Sequence, residues 1–590
     1  MRARRAMRRA DTAALVSRMI AVLALLTIAG ALPWLSRRDP AASILRARYA
    51  ELEPTPEALA SIRAELGLDG GPLVISARWW SAALRGDLGT SWVSGGAVGP
   101  GAASAFGVSL TLAGFALAVG LVVAAALVAP ACRRVLRDRP VRGAGPAGVV
   151  LTAMPEFLLA SALLVVFAVQ LRLLPPYGWH GMVHVVLPAL ALGIPSGGLI
   201  GRLLVDALAG VSTERWTQIW RLAGAAPVTV LRGVVRRAVA AVVDQMGLVL
   251  IGMLGGAVAV EQVFAIPGLG RYLLGAANAQ DPPALQAGVL FIALAAIAVG
   301  VVFGAFRLWA WGGPLPEGAL APPPEHRPRD RVALASLVVA GSLLALIVAA
   351  GIVRDPYASA HPRLAPPSWA LPFGADASGR DLLARVAHGA LGTLGPALVI
   401  VLASVLIGVL VAFAGAAAEG PVEVANATPP IIAGVIVAAL VGPTAGGAAA
   451  AVLWVSWPPL AAHARSLLAE ARALSYVRWL PVFGMGRAEA TLRHVVPAAL
   501  PPLARHGMLR LPGIALALAS LGFLGLGAQP PMPEWGLLLA EGIAYVERAP
   551  WTTLAPAVAL VLVSVIAVAG ASLRMPQRRS AVRREPAGAL

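Results

Sequence analysis

The sequence predicts an all-α, polytopic membrane protein built from two fused six-helix units, and three observations carry that class. First, 58% of the 590 residues are hydrophobic, 13% are charged and the mean hydropathy is +0.78, whereas soluble domains carry about a quarter charged residues. Second, apolar runs of about 20 residues, the length that crosses a hydrocarbon core, recur along the chain. Third, one pattern is written twice: an Arg-rich stretch too polar to span, one more apolar run, then Gly-Leu-Gly. It runs from Gly201 to Gly270 and again from Arg465 to Gly527; Gly484 minus Gly224 is 260, and Gly525 minus Gly268 is 257. An offset of almost half the chain marks two homologous units in one polypeptide.

Taken in order, six spans fall near 12–33, 104–130, 147–171, 184–205, 241–263 and 285–311. Six more fall near 331–353, 389–416, 427–443, 444–462, 501–522 and 553–574. Between the ninth and tenth, VGPTAG at 441–446 is the turn signal that divides a long apolar run. The basic start MRARRAMRRA precedes a first run that ends in Pro33 and Trp34, with no small-residue cleavage site, so a retained span is expected rather than a signal peptide. The units are thus 1–311 and 331–574, joined by a Pro/Gly-rich linker at 312–330 and followed by a basic tail at 575–590.

Arginine sets the orientation. The net charge is +18 and every one of the 47 basic residues is arginine. These arginines lie in short segments between apolar runs, the positive-inside distribution rather than a nucleic-acid-binding patch. The amino terminus, the 131–142 loop, both Arg-rich interruptions, the linker and the tail are expected in the cytoplasm, so both termini face inward. The 34–103 loop balances seven Arg against seven Asp and Glu, which suits the outer side. The location expected is the inner (plasma) membrane.

Without lysine the chain has neither a P-loop nor a Schiff-base nucleophile. Cys132, the one cysteine, reads as an ordinary loop thiol. No HExxH, GxSxG or paired-Cys motif is present, and the two Gly-Leu-Gly turns lack the third glycine of a dinucleotide fingerprint. Their expected role is a tight turn where the chain re-emerges outside, beside Pro267, Pro530 and Pro531. A metal pair at His180 and His184 is disfavoured because Gly178 and Gly181 break the helix that i, i+4 spacing needs. Asp244 reads as an ion-pair partner for Arg236 or Arg237 rather than a proton relay.

Both Arg-rich interruptions mix Arg, Trp and Leu with Gly, too polar to span and too apolar for a solvated loop. That composition wants an interface. A lipid-surface helix would show it too, but duplication at matching positions favours a protein partner.

Several stretches resemble the first permease subunit of dipeptide, oligopeptide and nickel ABC importers: RDPA at 38–41, TPEALASIRAELGLD at 55–69, LRGDLGTS at 84–91, HVVLPA at 184–189 and EQVFAIPGLGRYLL at 261–274. The second half resembles the partner subunit through LPFGADASGRDLLARVAHGALGTL at 371–394, LRHVVPAALPPL at 492–503 and LGFLGLGAQPPMPEWGLLLAE at 521–541. The resemblance implies a pathway-forming pair served by two cytoplasmic ABC ATPases, which bind the ATP, and by an extracytoplasmic solute-binding protein. This chain itself would carry no cofactor and no catalytic site.

The resemblance also places the ATPase-coupling segments at Thr213 to Gly224 and Ser475 to Gly484, with Trp216, Trp220, Arg221, Gly224, Tyr476, Arg478 and Gly484 as contact residues. The family's small residues before the glycine are replaced by Ile219, Trp220 and Arg221, and by Trp479, Leu480 and Pro481, with Pro481 expected to open a helix rather than interrupt one. Candidate pathway or gate residues are Glu261, Gly268, Gly270, Gly525 and Gly527. Glu261 either lines the pathway or is a water-exposed acid at the outer edge. The position seven before Gly525 is Leu518, where the partner subunit commonly has an acid. A peptide importer is the leading expectation, with nickel or another small solute as the alternative. A secondary transporter would also show twelve spans and a repeat, but it should carry acids or helix-breaking glycines at mid-membrane, whereas these spans are nearly free of acids at their centres and the duplicated Arg-rich segments have no assigned use in it.

Overall fold

The computed structural model describes residues 23–24, 26–31, 34, 40–49, 53–141, 148, 151–152, 154–311, 331–413, 422 and 430–572. The linker, the tail, the amino-terminal basic run and most of the first expected span lie outside the described residues, as does the Asp244 side chain. Among the described residues the chain is helical, with only two isolated β-bridges, Thr90 with Ala97 and Ala375 with Asp381.

Eight described helices are long and apolar enough to cross a membrane: Val98–Leu136, Val183–Ser212, Gln245–Val263, Pro282–Phe306, Leu334–Gly351, Leu382–Phe413, Ala445–Ala473 and Arg487–Phe523. They fall on eight of the twelve expected spans. Three others are present in shorter form. The third is Glu156–Leu163 continued by a π-helical Leu164–Gln170, the ninth is Pro430–Val441, and the twelfth is the apolar helix Trp551–Ala567. The division between ninth and tenth falls at the VGPTAG turn. There Gly442 takes φ +88° and the Thr444 hydroxyl caps the tenth helix by accepting from Gly447 N at 3.0 Å.

Close helix contact in the first unit comes from small residues spaced four apart. A Cβ on Gly193 would lie 2.5 Å from Ala116 O, and one on Gly197 would lie 2.4 Å from Gly120 O. The fourth span therefore seats its glycine stripe on the second, the usual device where lipid gives no hydrophobic drive to helix pairing.

The two units share one core rather than meeting at a polar seam. Val258, Leu269 and Leu273 cluster with Ile436, Ile514 and Leu521. Phe157 and Phe523 pack with ring centroids 5.1 Å apart. Among its described residues the 34–103 loop carries three α-helices, Pro40–Arg48, Pro56–Leu66 and Gly71–Ala83, around Ile44, Ile62 and Trp92. Asp281, just before the sixth span, anchors the loop by accepting from the Ser91 hydroxyl and from Trp92 N at 3.1 Å.

The matching loop of the second unit, between its first two spans, is held by charge. Asp376 pairs with Arg380 at 2.7 Å and with the fully buried Arg385 at 2.6 Å, and Arg385 reaches Glu541 at 2.6 Å. Burial alone would raise the Asp376 carboxyl, but the Arg380 amide and the Arg385 and Arg380 guanidinium groups hold it below its ordinary range.

Candidate functional site

The two Arg-rich interruptions fold as short surface helices with the same ending. In the first, Arg215–Leu222 is stopped at Gly224, whose φ is +76°. Gly224 N donates to Arg221 O at 3.0 Å and Ala225 N to Trp220 O at 3.0 Å. In the second, Ser475–Trp479 tightens into a 3-10 turn at Leu480–Phe483 and stops at Gly484, with φ +83°. Gly484 N donates to Pro481 O at 3.1 Å and Met485 N to Leu480 O at 3.2 Å. This paired pattern, one bond spanning three residues and one spanning five, satisfies the last carbonyls and needs a left-handed residue at its close. Pro481 thus stands in the first turn of the 3-10 helix that follows Ser475–Trp479, where a missing N–H costs nothing, so it opens the 3-10 turn and interrupts no α-helix.

The same face is buried in both copies: Thr217 and Val477, 477 − 217 = 260 residues apart, turn inward. The opposite face is apolar and open. Ile219, Trp220 and Leu222 are exposed in the first segment, Leu222 by 89%; Tyr476, Trp479, Val482 and Phe483 are exposed in the second, Phe483 by 82%.

The first segment is also tied down by charge. Glu214 accepts from Trp216 Nε1 at 2.6 Å and from Arg237 Nε at 2.9 Å, and Arg221 pairs with Asp138 of the preceding loop at 2.6 Å. Trp216 and Trp220 meet edge to face at 5.0 Å over Gly233. The second segment has a lighter anchor, Tyr476 against His494 at 6.0 Å, and Arg478 is exposed.

At the far end of the fifth and eleventh spans the units repeat a second device. Leu269–Asn278 and Trp535–Ile543 are short helices whose first three amides all find side-chain acceptors. In the first unit, Leu269 N donates to Ser109 Oγ at 2.7 Å, and Arg271 N donates to Glu261 at 3.1 Å, with the Gly270 amide on the same carboxylate. Ser109 Oγ donates onward to Glu261 at 2.5 Å. In the second, Trp535 N donates to Thr393 Oγ1 at 3.2 Å, and Gly536 N and Leu537 N donate to Glu534 at 2.9 Å each. Thr393 Oγ1 donates onward to Glu534 at 3.2 Å. Each node satisfies the otherwise orphaned amides of a helix start with a hydroxyl and an acid.

The acid arrives from opposite sides in the two nodes. Glu261 is on the fifth span and faces Gly268 at the helix cap, where a Cβ would lie 2.2 Å from its carboxyl carbon. Glu534 is itself the cap and faces Gly522 on the eleventh span, where a Cβ would lie 2.1 Å from its carboxylate oxygen. Leu518 is buried core, and the second unit carries its acid at Glu534 instead. The cue for Glu534 was local: an acid directly before an apolar helical run is a cap signal. Of the two readings of Glu261, the water-exposed acid at the outer edge is excluded, because the residue is 0% exposed.

The glycine pairs fare differently as well. Gly268 precedes a helix and Gly270 lies within it, where a Cβ would lie 2.5 Å from Val258. Gly525 instead ends the eleventh span at φ +74°, and Gly527 packs on Gly522. Gly268 and Gly525 are therefore not structural counterparts.

Glu534 lies in the connection after the eleventh span. Burial pushes its carboxyl up to about 7, outweighing the Gly536 and Leu537 amides and the Thr393 hydroxyl. Because its ordinary value is 4.5, the folded chain keeps a proton that the unfolded chain loses between those two values. The contribution is complete below the lower value and is lost as pH rises through about 7. The thermal midpoint of the chain in lipid nanodiscs should therefore fall between pH 5 and 8, and Glu534→Gln should reduce that slope; an equal slope in the variant would refute the assignment.

Between the two nodes lies an open cavity of about 760 Å³. The first unit lines it with Ser161 and Leu164 of the third span, Tyr177, Gln262 and Leu274; the second contributes Phe523 and the stretch Ala544 to Arg548. His180 and His184 are close by in sequence but form no helical pair, since the helix begins at Val183 and their rings meet edge on at 5.5 Å.

Comparison with known proteins places this architecture. The family described as "Binding-protein-dependent transport system inner membrane component" matches residues 116–309 and again 400–575. The chain is 33% identical over 253 residues to a glutathione transport system permease protein of Salmonella paratyphi A, covering 42% of this chain and 82% of that protein. It is 33% identical over 219 residues to a di/tripeptide transport system permease protein of Pseudomonas aeruginosa, covering 35% and 72%. A dipeptide transport system permease protein of Alkalihalophilus pseudofirmus is 28% identical over 246 residues, covering 40% and 81%.

Proposed function

The chain belongs to the family of binding-protein-dependent transport system inner membrane components and carries its domain twice, and from that premise we propose that it supplies both halves of a peptide importer's translocation pathway. It is a multi-pass membrane protein and a transport component of an ABC importer. In the reading offered here, both termini are cytoplasmic and the cavity between the units opens on the outer side. A solute-binding protein delivers a short peptide to that cavity. Two separate ATPases dock on the segments ending at Gly224 and Gly484, and this chain hydrolyses nothing itself.

The observation that carries the coupling role is the duplicated cap. Two segments of different sequence, one α-helical and one closing in a 3-10 turn, end in the same hydrogen-bond pattern at the same offset and turn unsatisfied apolar side chains outward. An exposed apolar patch of that kind marks an interaction surface. The helix Pro227–Val263, which begins beside this surface and ends in the fifth span, is 37 residues long; at about 1.5 Å per residue it is long enough to separate the surface from the cavity by the full thickness of the bilayer.

Peptides are the substrate class because the relatives above are named for dipeptide, di/tripeptide and glutathione transport. Reconstitution tests the whole reading. Proteoliposomes holding this chain, its ATPases and its binding protein should take up a dipeptide only with internal or external ATP at the ATPase face, and the chain alone should take up none. Uptake by the chain alone, driven by a proton or sodium gradient, would overturn it.

A further inference from the structure

The cavity between the units has a chemical polarity that its apolar setting makes conspicuous. Among the residues that line it, Ser161, Tyr177, Gln262 and Tyr545 are polar but neutral, and Glu547 and Arg548 alone carry full charges. Both are exposed, and neither side chain has a hydrogen-bond or ion-pair partner among the described residues, including each other. Neighbouring opposite charges that do not pair leave one acceptor and one fork of donors free at the same wall. The remaining wall is largely aliphatic and aromatic.

We propose that Glu547 and Arg548 form a two-ended recognition site for a small zwitterionic solute, Glu547 holding its ammonium group and Arg548 its carboxylate, with the rest of the solute against the apolar wall. The proposal rests on the reading of the chain as an importer permease and adds to it which residues read the substrate. A volume of about 760 Å³ is of the size that takes small ligands. A free cation meets one carboxylate and the adjacent guanidinium, whereas a transition metal needs several nitrogen, sulfur or oxygen ligands. A free anion meets Glu547. A dipolar solute alone satisfies both charges, so the site speaks against the metal-importing alternative.

The site should be weak, and transport needs it so. Charges this open to water gain little from pairing, and a solute that must leave toward the cytoplasm cannot be held tightly in the chamber. Bidentate geometry still favours Arg548 for a carboxylate over a lone ammonium head.

The test is saturation-transfer NMR on the full chain in lipid nanodiscs with three probes: dialanine, N-acetyl-dialanine and dialanine amide. Native protein should bind dialanine about five- to tenfold more tightly than either blocked form. Glu547→Gln should bring dialanine and its N-acetyl form within about twofold while keeping the discrimination against the amide, and Arg548→Gln should do the reverse. Equal binding of all three probes by the native chain, or a uniform loss in both variants, overturns the proposal. So does an unchanged three-probe pattern with weakened capture of the binding protein, which would make the pair a docking charge. The importer reading is scored separately, by ATP-driven uptake in the reconstituted complex: loss of uptake with the crossed probe pattern intact condemns that reading and leaves the site standing.

Discussion

Replacing both Gly224 and Gly484 by tryptophan is expected to reduce ATP-driven uptake to background while the chain still inserts and folds. Two physical effects act at these positions and they separate cleanly. The first is backbone strain: φ values of +76° and +83° lie in the left-handed region, where an L side chain costs about 1–2 kcal/mol. The second is bulk. A Cβ at either glycine meets nothing within 4 Å, so the protein itself has room and the added indole projects into the space a docked partner would fill. Asparagine separates the two, because it tolerates the left-handed region and adds little volume. Gly224→Asn with Gly484→Asn should keep most of the uptake and of the transport-coupled ATPase rate, and the tryptophan pair should lose both. If the asparagine pair fails as completely as the tryptophan pair, strain rather than docking is responsible. If the tryptophan pair transports normally, these segments do not meet the ATPases.

The class of fold and the two glycine-capped surface segments were legible because they rest on signals confined to short stretches. Apolar length is read from about 20 consecutive residues, and the left-handed glycine after a Trp- and Arg-bearing helix is read from about ten. VGPTAG, too, delivered its turn where expected. The outer nodes were half legible for a reason that is equally physical. Glu261 stood out as an acid inside an apolar run, but its partner Ser109 is 152 residues away, and Thr393 is 141 residues from Glu534. Nothing in the local pattern announces which hydroxyl meets which acid. The repeat itself misled, because it aligned Gly268 with Gly525, whereas in space Gly268 corresponds to Glu534 and Glu261 to Gly522. The units had exchanged acid and glycine between helix and cap, and an alignment that seeks like residues at like offsets passes over such an exchange. Cavity charges at Glu547 and Arg548 were invisible for a simpler reason: exposed acids and arginines in a loop look alike whether they face bulk water or a chamber.

The exchange of acid and glycine makes a prediction that a merely tolerated difference would not meet. Gly522→Ala places a methyl group 2.1 Å from the Glu534 carboxylate, so the acid must leave the Gly536 and Leu537 amides, at a cost of about 2–4 kcal/mol. Gly522→Glu alone should be worse still, since two carboxylates would compete for one set of amides and at least one would be buried without a partner. Glu534→Gly alone strips the acid from three donors: two amides and the Thr393 hydroxyl. Yet the double variant, Gly522→Glu with Glu534→Gly, rebuilds in the second unit the arrangement that Glu261 and Gly268 already hold in the first. Glycine at the cap is acceptable there, as Gly268 shows with ordinary φ of −89°, and it costs a helix start only a few tenths of a kcal/mol. The double variant should therefore recover at least half of the thermal midpoint lost by the worse single variant, measured on the full chain in nanodiscs, which is the non-additive signature of two residues acting on one set of amides. A double variant no more stable than the worse single one would show that the two nodes are similar in outline only, and that the backbone around Glu534 has been fixed by its acid in a way the first unit does not share.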